Sequence, residues 1–222
     1  NLLLNLLEND YKNYFNDDVL LIANSNFNVL LNKKYKVQNY ILKSNINFDD
    51  LKKKIKNAKL KKIIPDFEDK LILNKGSLDL EVNSKKPTYI SINSKYILNE
   101  KMKSRDISLN ISKKKSTEKY EFYIDLKGNE IIVDELNFKK KRDEDFYVKL
   151  TAENNLKYFE ITKFKAFNNK NFFDFKNIKF VDDYKIKDFN LIEAKYFNQD
   201  NFLNDILISK KKNQIMVNSK NI

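Results

Sequence analysis

Adjacent carboxylates stand at Asp17-Asp18, Asp49-Asp50 and Asp182-Asp183, with a triplet at Asp143-Glu144-Asp145. Two acids facing each other across a cleft can divide general acid and base work on a glycosidic bond. Neighbours on a strand point to opposite faces, so no adjacent pair is such a dyad by itself. Turns and solvated surface account for them, and Asp49-Asp50 falls where the start of a helix over residues 47–60 would favour negative charge. Asp125 with Asp134, across a turn at Gly128, is the remaining route to two convergent acids. The triplet carries the hard oxygen ligands calcium takes, but Lys139, Lys140, Lys141 and Arg142 beside it oppose a cation. We therefore expect no metal and no catalytic residue. The absence of His, Cys and Trp is equally restrictive. It removes the imidazole base, the thiol nucleophile, the Cys/His zinc site and the disulfide framework. Gly76 and Gly128, the only 2 glycines, are too far apart for a phosphate-cradling loop. No cofactor is expected.

Charge points to partners only weakly. The 222 residues hold 41 Lys and 2 Arg against 31 acids, a net +12, and 33 Asn. That bias fits AT-rich codons as well as it fits a basic surface. Readers of nucleic acid favour arginine, whose planar fork pairs with guanine edges and phosphates. Arg105 and Arg142 stand alone, so specific nucleic-acid binding is not expected. The basic runs 52–54, 113–115, 139–142 and 210–212 read as solvated turns and faces. No apolar run reaches the roughly 20 residues that span a bilayer, and a cytoplasmic location is the expectation.

Aromatic residues concentrate between 146 and 202. Most of the 17 Phe read as core. Tyr123 and Tyr147 fall on the outward parity of their segments, with Lys149 two residues beyond Tyr147. Exposed tyrosine rings stack on sugar faces, and these three residues are the candidate ligand-binding set.

These side chains need a framework, and the hydrophobic period supplies one. Residues 1–15 place Leu3, Leu4, Leu7 and Tyr11 at helical spacing. Residues 18–23 and 37–42 read as strands, 47–60 as a helix with Asn47 or Asp49 as cap, and 63–64 as a third strand. A small α/β or helical segment over 1–75 is the result. From Ser77 the period changes to two: 78–82, 88–92, 107–111, 120–126, 146–150, with 156–167 and 172–181 less regular. Lys127-Gly128-Asn129 marks a turn, with 131–138 as the returning strand. Alternation predicts burial of Phe122, Ile124, Leu136, Val148 and Ile161. Some eight strands with short polar turns predict a mainly β chain, an antiparallel β-sandwich or jelly roll over 76–183. Residues 184–222 read as a short helix at 200–208 and a polar linker.

Within this region, YEFYIDL (120–126), DELNF (134–138), DFYVKL (145–150) and FEITKFKAF (159–167) form a series. It resembles the β-sandwich accessory domains attached to bacterial glycosyltransferases of surface-polysaccharide synthesis. The basic run 139–142 stands where those domains carry a proline-rich turn. The resemblance implies a non-catalytic module that binds glycan or organises such a transferase, with a glycan or protein partner, and it carries over no catalytic residue. A structural or assembly protein and a basic nucleic-acid binder are the alternatives from other classes.

Overall fold

The computed structural model describes residues 20–155, 157–181, 185–211 and 214–221. It is mainly β. An antiparallel path runs through β1 (Leu21–Leu31), β2 (Val37–Lys54), β3 (Lys70–Asn83), β4 (Thr88–Ile97), β5 (Arg105–Lys114) and β6 (Thr117–Asp125). It continues through β9 (Tyr147–Asn154), β10 (Phe159–Phe167), β11 (Phe172–Val181), β13 (Leu191–Phe197), β14 (Leu203–Lys211) and β15 (Gln214–Asn221). A short β12 (Lys185–Asp188) pairs with the end of β11. The hairpin β7 (Ile131–Val133) and β8 (Phe138–Lys140) forms a separate two-stranded sheet.

Register explains why this sequence makes one sheet. Ala23, Ile46, Leu78, Ile92, Leu109, Phe122, Leu150, Phe164, Phe175, Ile192, Ile208 and Val217 lie opposite one another, strand to strand. A one-residue slip anywhere would turn a strand's apolar set to the other face. That other face carries register-opposed ion pairs: Lys43–Glu81 at 3.4 Å, Lys95–Asp106 at 3.5 Å, Lys119–Glu153 at 3.6 Å, Lys179–Glu160 at 3.8 Å and Lys195–Asp205 at 3.5 Å. Each exposed pair contributes at most about 1 kcal/mol, but all of them favour the same register.

A cap covers the middle of the apolar face. Helix α1 (Ala58–Ile63) starts at Asn57, whose side chain accepts from the Leu60 amide at 3.0 Å. With the segment that follows it and the β7–β8 hairpin, it packs Ile64, Phe67, Ile131 and Phe138 onto Tyr96, Leu126, Phe146, Phe173 and Tyr196 of the sheet side. At the cap's border a cavity of about 330 Å³ has only apolar lining, including Ile63, Val133, Leu136, Phe164 and Phe175.

Several expectations are corrected here. Residues 47–54 and Asp49-Asp50 belong to strand β2, not a helix, because Leu51 and Lys53 pair with Leu73 and Leu71 of β3. Ile63 ends α1 rather than starting a strand. The described part of the expected α/β segment is therefore two long strands, one short helix and the start of β3, which runs unbroken across residue 75. Residues 131–138 do not return along β6. A three-residue 3-10 turn at Asp134–Leu136 closes onto Asn137, at φ 49°, and sends β8 back along β7, leaving β9 to pair with β6. Residues 203–208, expected as helix, form β14 against β13, and the expected linker holds β15.

In place of two packed layers there is, among the described residues, one long sheet under a small cap. Phe122, Ile124, Leu136, Val148 and Ile161 are consequently half-buried rather than buried. The expected helix at 1–15 and Asp182-Asp183 lie outside the described residues.

Candidate functional site

Tyr123 of β6 and Lys149 of β9 stand directly opposite each other, and Tyr147 opposes Asp125 on one side and Phe167 of β10 on the other. All these side chains point to the face away from the cap, since Phe122, Ile124, Val148 and Ala166 take the other parity. The sheet thus brings the three candidate residues together. The Tyr123 and Tyr147 rings stack with centroids 6.4 Å apart and planes 15° from parallel, and Tyr147 meets Phe167 at 5.8 Å. The Lys149 ammonium lies 5.9 Å from both the Tyr123 and Phe167 ring centres. Beside it, Lys165 Nζ sits 5.4 Å from the Phe172 ring. Stacked rings with cations over their faces are attractive contacts. They also hold the aromatic surface in place while it stays half-exposed.

Tyr123 borders a depression of about 670 Å³ that polar side chains line, among them Asn47, Ser77, Asn93, Asp106 and Ser108. It opens where the β3–β4 register shifts between Asn74 and Ser77. Partial burial, then the charge of Asp125, raises the Tyr123 hydroxyl above its ordinary pKa. The hydroxyl is therefore a neutral donor and acceptor at neutral pH. Aromatic wall, amides, hydroxyls, the carboxylates of Asp49 and Asp106, and the ammonium groups of Lys75, Lys95 and Lys149 make a surface that can stack on a ring and hydrogen-bond its hydroxyls. They do not make a nucleophile with a base.

Of the other acids singled out in the sequence, several have partners away from this surface. Asp125 Oδ1 accepts from the Lys127 amide at 2.8 Å, while Asp134 pairs with Lys62 of α1 at 3.3 Å. Asp145 holds Lys127 at 2.6 Å, Glu144 accepts from the Lys141 amide at 3.2 Å, and Asp50 accepts from Asn74 at 2.6 Å. Among the described residues no group of three or more acids is placed to hold a metal ion.

The run 139–142, read as a solvated turn, is a set of clamps instead. Lys140 is fully buried, and its Nζ donates to the carbonyls of Leu126 at 2.9 Å and Asn129 at 2.8 Å, bracing the turn that contains Gly128, at φ 91°. Burial lowers its pKa to about 8, against the opposing pull of Glu144 and Asp125. Arg142 grips the buried Asp66 with two donors, and the Glu130 amide adds a third at 2.9 Å. Burial pushes the Asp66 carboxyl up, but Arg142 and that amide together hold it below its ordinary range. These contacts bind the cap to itself and to the sheet end. A charge run in sequence gives no sign of them, because the partners lie 76 and 14 residues away.

No family model, no curated protein and no solved structure matches this chain.

Proposed function

We propose that the chain is a non-catalytic β-sheet module that binds glycan on its polar face, as an accessory part of a surface-polysaccharide glycosyltransferase. The observation that carries the reading is the stacked Tyr123–Tyr147 pair, half-exposed beside Lys149 and next to a depression lined by amides, hydroxyls and charged side chains of both signs. Sugar rings offer apolar C–H faces to such aromatic surfaces and hydroxyls to the polar groups around them. Lys149 adds a preference for acidic sugars, since an ammonium attracts carboxylate or phosphate substituents. The resemblance of residues 119–167 to accessory domains of those transferases supports the same reading, because the candidate rings fall within that stretch.

The test is retardation of the protein in gels containing neutral or acidic polysaccharides, followed by calorimetry on oligosaccharides that bind. The combined Y123A/Y147A variant is expected to lose at least about tenfold in affinity, the scale of one lost stacking contact, with the circular dichroism unchanged. K149A is expected to weaken acidic glycans only. Absence of glycan binding by the parent protein, or full binding by Y123A/Y147A, would refute the proposal.

A further inference from the structure

Strand β1 is the outermost strand of the sheet: one side pairs with β2, and nothing among the described residues pairs with the other. Sheet edges are ordinarily blunted with charges, prolines or bulges that keep other strands away. In a chain with 33% charged residues, the β1 sequence LIANSNFNVLL has no charge, proline or glycine. Its one irregularity of register lies at its end, between Leu30 and Leu31. Leu21, Ile22, Phe27, Val29, Leu30 and Leu31 are all exposed, at 43% or more.

The order of residues in β1 adds a second observation. A two-fold rotation through Asn26 sets Leu21 against Leu31, Ile22 against Leu30, Ala23 against Val29, Asn24 against Asn28, Ser25 against Phe27, and Asn26 against itself. Apolar residues meet apolar residues at both ends and asparagine meets asparagine at three middle positions, with Ser25 against Phe27 the one unlike pair, small beside large, on the apolar face. Directly opposed residues of an antiparallel pair share a face. Ala23 lies on the capped, apolar face through its pairing with Ile46, so the apolar face would continue into the second copy without a step. The opposite edge lacks this property: reversing β15 sets Ile215 against Lys220 and Met216 against Ser219.

We propose that two copies of this chain associate through β1, antiparallel about a two-fold axis at Asn26, to form one sheet continuous across the dimer. An isologous contact of this kind closes at two subunits. It joins the edges by main-chain hydrogen bonds, about one per residue paired, and covers the exposed leucines of both strands. This inference is independent of the glycan reading and uses none of its residues.

The test is sedimentation equilibrium of the full chain between about 1 and 100 μM, where a modest interface of this kind would dissociate. Three variants at exposed β1 positions accompany it, each checked for unchanged circular dichroism. The parent is expected to be dimeric at the upper end. N24K/N28K sets lysine against lysine twice and is expected to weaken the dimer at least about tenfold, as directly opposed like charges do. N24K/N28D sets lysine against aspartate at the same two places and is expected to restore it.

Because the natural chain has no cysteine, N26C gives one clean probe. Opposed Cα atoms about 4.5–5.5 Å apart fall within disulfide reach, so mild oxidation should yield a covalent dimer. A parent that stays monomeric throughout overturns the proposal, including the case in which residues 1–19 occupy the edge. So does a dimer that N24K/N28K leaves unchanged, an N26C variant that does not cross-link, or assembly that grows past two copies by joining β1 to β15.

Discussion

Lys140 shows how one side chain can carry a pH-dependent part of the stability. Its ammonium has no exposure to solvent and braces two carbonyls of the turn between the sheet and the cap hairpin. With a pKa of about 8 in the folded chain and an ordinary value of 10.5, the folded state binds fewer protons than the unfolded state between those two pH values. Stability from this residue is therefore fully present above 10.5 and is lost as pH falls through 8. Other lysines and tyrosines titrate in the alkaline range, so the effect is read as a difference. K140M removes the titrating group and strands the two carbonyls, which costs about 1–3 kcal/mol. Urea unfolding at several pH values from 7.5 to 10 should show the gap between parent and K140M widening with pH, on the order of 1 kcal/mol per unit. A gap that stays constant across that range would show that Lys140 keeps its ordinary pKa.

At the scale of elements, strands β2 and β3 are held in place by an omission. Phe48 of β2 lies directly opposite Gly76 of β3, and a methyl group at Gly76 would overlap the Phe48 ring. Glycine is needed there for room, because the Phe48 ring occupies the space a Cβ would take. G76A is expected to lower stability by about 1–3 kcal/mol, the usual cost of overpacking. Shortening the ring in G76A/F48L should recover part of it, as measured by the urea midpoint. An unaffected midpoint in G76A would mean that the ring moves aside freely. The case also shows what was legible in the sequence. At 78–82, 88–92, 107–111, 120–126 and 146–150 alternation gave the strands and their parity, and the same parity rule turned Tyr123, Tyr147 and Lys149 outward together. What alternation could not supply was the covering layer, so the depth of burial was overestimated. Nor could it read residues 47–60 and 200–208, where apolar spacing suited a helix. Pairing with β3 made 47–54 a strand and the hairpin with β13 made 203–208 one, while 58–60 do fall in α1. The Lys140 and Asp66–Arg142 clamps left no local signal, because their partners lie 14 and 76 residues away.

For the whole molecule, the distribution of apolar contact decides which parts open first. The sheet keeps one apolar residue per strand along its full width, but the cap rests only on its middle, around Tyr96, Leu126, Phe146, Phe173 and Tyr196. Among the described residues nothing covers either face toward β1 and β15, and Phe27, Leu30, Ile215 and Val217 are exposed by more than half. Local opening has a free energy set by buried apolar contact, ranging from near zero at frayed ends to the global value in the core. In the monomer, amide exchange should therefore be slowest in β6, β9, β10 and β11 and grow faster toward both edges. Hydrogen exchange read by mass spectrometry on N24K/N28K, at concentrations where it is monomeric, would map that gradient. In the parent, raising the concentration should slow exchange in β1 while leaving β15 unchanged, because only β1 gains a neighbouring strand. Uniform protection across all the strands would instead mean that the sheet opens as one cooperative unit and that the cap does not set its order of opening.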